Sequence, residues 1–153
     1  MRAPLYLCGA ALLLACGPLG PIPGGALRGE PVTGPVQDWA FLDDEHTVQL
    51  ETNPSDPYSV NIWIGREGGR PYIPSSLIAG VAEPTERQWV QNVLDDPNVR
   101  LKVQGRLYDL KAVRVEDDTE RESVRAALLA KYEVEASDDG HEDKAWIFRL
   151  EPR

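Results

Sequence analysis

Two cysteines, two histidines and an excess of carboxylates are the side chains of this 153-residue chain that could carry covalent or metal chemistry. His46 follows Asp43, Asp44 and Glu45, while His141 lies among Asp138, Asp139, Glu142 and Asp143. Structural zinc takes four nitrogen or sulfur ligands at tight spacing, which two separated histidines without a thiol pair do not offer. Both clusters therefore read as solvated loops, and no metal is expected. The chain has no nucleophile elbow, no phosphate-cradling glycine loop and no dinucleotide fingerprint. What remains is Cys16, and the question of what its thiol is for.

Arg2 precedes an apolar stretch over residues 5–15, and Leu13, Leu14 and Ala15 come immediately before Cys16. Eleven apolar residues are too few to span a bilayer, which takes about 20; the stretch reads as an export signal. Residues 13–16 resemble the bacterial lipobox, in which a lipid is attached to the cysteine thiol and the chain is cut just before it. That resemblance implies a signal peptide over residues 1–15, lipid attachment at Cys16, and a protein of the bacterial cell envelope with its domain outside the cytoplasm. The other reading is an ordinary secretory signal with an incidental Cys16. Cleavage before Cys16 would leave a single cysteine and no internal disulfide. A diacylglyceryl group with an added N-acyl chain would hold the molecule on its membrane, since stable anchoring takes two or more chains.

Residues 17–35 contain six Gly and five Pro, so residues 16–35 are expected to act as a tether and residues 36–153 as the folded domain. The net charge of −9 becomes −10 once residues 1–15, whose only charge is Arg2, are removed. Nucleic acid is excluded as a partner, because its affinity rests on neutralising phosphates with Lys and Arg.

Residues 47–51 and 58–64 alternate apolar and polar positions, and residues 71–73 return as a strand after the turn residues Gly68 and Gly69. In the second of these strands, Tyr58, Val60, Ile62 and Ile64 share one face, and Ser59, Asn61 and Trp63 the other. Pro84, with a capping box from Thr85 to Gln88, predicts a helix with Trp89, Val90, Val93 and Leu94 as its apolar stripe. Residues 99–103 and the strand after Gly105 form a hairpin, with a bulge predicted near Ala112 because the apolar phase changes there. Thr119 and Glu122 open a second helix carrying Val124, Ala127, Leu128 and Tyr132, and residues 145–150 alternate as a last strand. Hairpins rather than helical crossovers join most strands. The predicted fold is α+β: a six-stranded, mainly antiparallel split β-barrel with two helices.

Residues 89–99, WVQNVLDDPNV, resemble the helix and strand entry of the flavin-binding split-barrel superfamily, which includes pyridoxamine-phosphate-oxidase-like proteins and deazaflavin-dependent nitroreductases. Residues 57–76 and 99–115 are similar to the hairpins on either side, so the resemblance covers roughly residues 46–150. It implies a homodimer with FMN or a deazaflavin coenzyme in a groove. It places Ser75, Ser76, Arg87 and Trp89 at the coenzyme phosphate, and Ser59, Asn61 and Trp63 beside its ring. The residue types agree: a helix start offers free N–H groups and a positive dipole end near Arg87, hydroxyls add hydrogen bonds, and an indole can stack on a planar ring. The helix start carries one basic residue where phosphate binders often gather more, and residues 54–57 lack one altogether. Two functions follow: an exported oxidoreductase-like coenzyme binder, or a cofactor-free envelope lipoprotein that takes a small ligand or protein partner in the same groove.

Overall fold

Strands of alternating apolar residues pair most readily with their sequence neighbours, because a short turn brings them together at little expense of chain entropy. The computed structural model describes residues 17–76, 83–135 and 144–153. Its strands are β1 (Glu30–Pro31), β2 (Val48–Thr52), β3 (Tyr58–Ile62), β4 (Gly65–Glu67), β5 (Arg70–Pro74), β6 (Asn98–Val103), β7 (Arg106–Arg114) and β8 (Ile147–Pro152). Its α-helices are α1 (Gln88–Asp95) and α2 (Asp118–Tyr132). The signal segment with Cys16 and the acidic loop with His141 lie outside the described residues.

The strand order is β3-β2-β6-β7-β8-β5-β4, antiparallel at every pairing along it. β1 adds in parallel beside the start of β7. β3 and β4 stand at opposite ends of this order, yet only Trp63 and Ile64 separate them in the chain. So short a connection spans roughly 10 Å. The sheet must therefore curl until its edges nearly meet, which makes it the split barrel expected from the sequence, with more strands than the six predicted.

Both additional strands have a local cause. β1 consists of Glu30 and Pro31, which carry no apolar alternation to announce a strand. β4 belongs to the stretch read as one strand running into its turn. The hairpin expected between residues 58–64 and 71–73 is instead β4–β5, closed by Gly68 and Gly69 at φ of 54° and 77°. Positive φ at both central residues is what a type I′ hairpin turn requires. β3 pairs only with β2 among the strands, so the chain leaves one edge of the split and enters the other.

Alternation sorts the core into two layers. Ile73 and Phe148 belong to the larger cluster with Leu50, Leu101 and Trp89, while their neighbours Tyr72 and Ile147 join Val124 and Leu128 of α2 in a smaller one. The sheet thus has one face on the barrel interior and the other under α2. The predicted bulge near Ala112 is absent: β7 keeps an unbroken register against β8 through Arg114. Val115 lies just beyond the strand and enters the smaller cluster, which accounts for the change of phase.

Each helix is capped two residues from its expected place, α1 later at Arg87 and α2 earlier at Asp117. Pro84–Glu86 is a 3-10 turn, α1 starts after Arg87, and Arg87 as its N-cap accepts no side-chain hydrogen bond. Leu94 of the predicted stripe is 54% exposed, and Asn92 takes a buried position in its stead. In α2 the cap is Asp117, whose carboxylate accepts from the Glu120 N–H at 2.8 Å.

The glycine- and proline-rich run is not a free spacer. Gly24 and Ser59 exchange backbone hydrogen bonds at 2.9 and 2.8 Å, and Leu27 is buried with its N–H on the Glu51 carboxylate at 2.5 Å. The Glu30 N–H then donates to Gly105 O, and that of Val32 to Leu107 O. Contacts with the sheet are therefore already made at Gly24 and Leu27, ahead of Val36. Many prolines and glycines leave few backbone donors and no helix, yet they do not prevent a segment from lying flat on a sheet edge. A Cβ on Gly24 would stand 2.4 Å from Gly17 C and 2.5 Å from Pro18 N. Gly24→Ala should therefore release the start of the chain from β3. The expected readout is faster amide exchange across residues 17–24 and Ser59, with β6 and β7 still protected.

Beneath α2, Arg149 donates to the Glu120 carboxylate at 2.6 Å, and the Tyr72 hydroxyl donates to it at 2.8 Å. The Arg149 bond, chiefly, holds the Glu120 carboxyl below the usual glutamate range. A carboxyl depressed in the folded state adds stability above its unfolded pKa, near 4.3, and that contribution is lost as pH falls through the folded value. Glu120→Gln should lower the melting temperature slightly at neutral pH and flatten the acid-side decline below about pH 4.3. Thermal scans against pH check both parts.

Candidate active-site groove

At the split, a groove of about 580 Å³ opens between β3, the end of β5 and the start of α1. That volume falls in the usual range for a cofactor or substrate cleft. β3 contributes one wall through Tyr58, Val60, Asn61 and Ile62, continued by Trp63. Pro74 at the end of β5, with Ser75 and Ser76 after it, forms another side, and residues 86–89 form the far end. The docked N-terminal run adds Gly20, Pro21, Ile22 and Pro23 as a further wall.

Six of the seven residues singled out for a coenzyme line this groove: Asn61, Trp63, Ser75, Ser76, Arg87 and Trp89. Ser59 does not line it. Its side chain is fully buried, and its hydroxyl donates to Gly25 O at 2.8 Å, so it fastens the N-terminal run instead. Asn61 is partly engaged in the same task, with Nδ2 donating to Gly20 O at 2.9 Å.

Arg87 is the cation of the groove. Its Nε is buried without a hydrogen-bond partner, and burial lowers the pKa of the guanidinium. No ion pair to Arg87 occurs among the described residues. A desolvated cation left without an anion is unfavourable in itself. It sits at the head of α1, where no side chain caps the first N–H groups. Together the two features can accommodate an anion; Glu86 also lines the groove.

Trp63 supplies a flat wall. One face stacks on Tyr132 at 4.2 Å and 7°, and the indole also lines the groove. Tyr132 is itself fixed: its hydroxyl accepts from the Ile64 N–H at 2.8 Å and lies 2.9 Å from His46 O and Ile64 O, either of which it can donate to. Lys131 donates to Leu42 O and Ile64 O at 2.6 and 2.9 Å, with burial holding its ammonium below its ordinary pKa. α2 thus pins the two-residue crossover that bears Trp63. Trp89 is only 4% exposed and meets Phe148 edge-on at 5.5 Å, so it is a core residue that floors the groove. Ser75 Oγ accepts from the Trp146 N–H at 2.9 Å, which leaves its proton to donate.

Sequence reasoning missed Asn92, the residue that aims α1. Its Nδ2 donates to Thr52 Oγ1 at 2.9 Å, its Oδ1 accepts from Gln88 Nε2 at 2.9 Å, and Thr52 Oγ1 donates to Tyr58 O at 3.2 Å. A polar residue in mid-helix next to Val93 was the available signal. It also missed Tyr58 and Ile62 as lining residues: they have the opposite phase to Asn61, and both phases reach a groove that runs past the edge of an edge strand.

Residues 54–142 match the profile of a family described as F420H(2)-dependent quinone reductase. Several solved structures are similar to this chain, among them these three. A conserved hypothetical protein of Mycobacterium tuberculosis is 18% identical with a TM-score of 0.58, over 84% of this chain and 86% of its own. A pyridoxamine 5′-phosphate oxidase-like protein of Listeria innocua is 16% identical with a TM-score of 0.53, over 74% and 89%. An FAD-binding protein of Mesorhizobium loti is 16% identical with a TM-score of 0.50, over 73% and 84%. At these identities the likeness is one of fold. No curated protein sequence matches significantly.

Proposed function

Because this chain belongs to the F420H(2)-dependent quinone reductase family, we propose that its groove binds a deazaflavin coenzyme and that the protein passes its reducing equivalents to a quinone-type acceptor. The observation that carries this reading is Arg87, a partly buried guanidinium with an orphaned Nε at the head of a helix. An anionic coenzyme tail supplies the missing partner. The residues present fit such a group: Arg87 and the uncapped start of α1 for its phosphate, Ser75 as a hydroxyl donor with Ser76 beside it, and the Trp63 indole for its ring. When bound, the deazaflavin supplies hydride transfer. The chain orients the ring against Trp63, shields one side with Tyr58 and Ile62, and neutralises the tail.

The lipid anchor at Cys16 and the envelope location belong to the same proposal. They are supported by the lipobox-like residues 13–16 and by the apolar stretch before them. A Cys16→Ser variant should leave the membrane fraction or stay unprocessed; an unchanged size and location refutes the anchor. The homodimer implied by the superfamily resemblance is checked by light scattering on the detergent-solubilised chain.

Turnover tests the reaction: the full chain is mixed with F420H2 and a soluble quinone, and oxidation of the coenzyme is followed by its absorbance. Oxidation that depends on both protein and quinone is expected. Coenzyme binding without oxidation would remove the quinone assignment. Neither binding nor oxidation would favour the cofactor-free ligand binder, a reading to which Glu86 and the single basic residue of the groove give some support.

A further inference from the structure

We infer that the turn over residues 19–22 is a membrane-contacting lip that opens the coenzyme groove toward a phospholipid surface. The large apolar residues that the described fold leaves exposed are Leu19, Ile22 and Leu94, and two of them belong to this one turn, each 63% exposed. The turn is built to hold them outward. Leu19 and Ile22 exchange backbone hydrogen bonds at 3.0 and 2.9 Å, and Gly20 O accepts from Asn61 of β3 at 2.9 Å. Two apolar side chains in water on a fixed turn gain by leaving it.

What covers them follows from the chain itself. Residues 17–27 contain no charged side chain, in a protein whose net charge is −9. An acidic domain is repelled by an anionic lipid surface over most of its area, and an uncharged apolar lip is the part that can approach. Cys16 is three residues from Leu19, within about 10 Å along the chain. The lip rests on the proposed lipid anchor in this respect: acyl chains at Cys16 would set Leu19 and Ile22 against the bilayer. Because residues 17–24 are docked on β3, the anchor would hold the domain in one orientation instead of on a loose leash. Ile22 and its neighbours Gly20, Pro21 and Pro23 are also a wall of the groove, so that orientation puts the groove mouth at the lipid surface. An acceptor dissolved in the bilayer would then enter without crossing water.

The test places a photo-crosslinking benzoylphenylalanine at position 22 of the full chain, or at exposed position 122 of α2 as a control. The mature protein is reconstituted in phosphatidylethanolamine and phosphatidylglycerol vesicles and irradiated, and both the adducts and the mass of the Cys16 peptide are read by mass spectrometry. Phospholipid adducts at position 22, absent at position 122 and strongly reduced by Leu19→Asp, are expected. Equal adducts at both positions, or none at position 22, overturn the lip. A Cys16 peptide without lipid refutes the anchor on its own; adducts at position 22 from protein added to the same vesicles would still uphold the lip, and their absence would remove it.

Discussion

Replacing Arg87 with Met should weaken coenzyme binding by about tenfold to a hundredfold, the range for losing a hydrogen-bonded charge contact, while leaving the protein at least as stable as before. The two effects share one cause. The guanidinium is partly buried, its Nε is buried without a partner, and no carboxylate among the described residues pairs with it. Such a charge costs stability until an anion arrives. Met keeps an apolar stem and removes the unpartnered head. Affinity for F420 by fluorescence titration should fall while the melting temperature stays level or rises. A variant that melts lower and binds as before would show that Arg87 is a structural residue with no ligand to hold.

Asn92→Ala should act in the opposite sense, on stability first. Asn92 is buried, and its amide joins Gln88 of α1 to Thr52 of β2, whose hydroxyl reaches Tyr58 O of β3. Removing the centre of this network leaves Gln88 without that partner and Thr52 with an unmet acceptor. The expected loss is about 1–3 kcal/mol, or several degrees in melting temperature for a domain of this size. Because α1 carries Arg87 at its head, coenzyme affinity should weaken as well, although Asn92 does not line the groove. An unchanged melting temperature would mean that packing of Trp89, Val90 and Val93 alone fixes the helix.

Much of this arrangement was legible in the sequence, and the parts that were not share a physical reason. Alternation at Val48 and Leu50, at Val99, Leu101 and Val103, and at Phe148 and Leu150 identified strands, because each has one face in the barrel core. Hairpin connections then gave an antiparallel sheet. The closure was harder to see. It depends on β3 and β4 lying at opposite edges, and no local pattern distinguishes a two-residue crossover at Trp63 and Ile64 from a continuing strand. The run over residues 17–35 was read by composition, and composition reports backbone freedom in the unfolded chain. It does not report that Ser59, Glu51 and Gly105 would each satisfy that run's polar groups. Ser59 was assigned to the groove for the same reason: strand phase gives the face, while the docked segment covering that face comes from elsewhere in the chain. Arg87 and Trp63 do line the groove, because a cation at a helix start and an indole at a strand end keep their place wherever the backbone turns.

The central claim is that this groove holds a deazaflavin coenzyme with its anionic tail on Arg87. Its most direct test is an equilibrium titration of the full chain with F420, read by quenching of the coenzyme fluorescence and repeated with Arg87→Met. Saturable binding to the wild-type chain that is weakened by the substitution is the predicted result. No saturable binding to the wild-type chain, or equal binding to both, would contradict it.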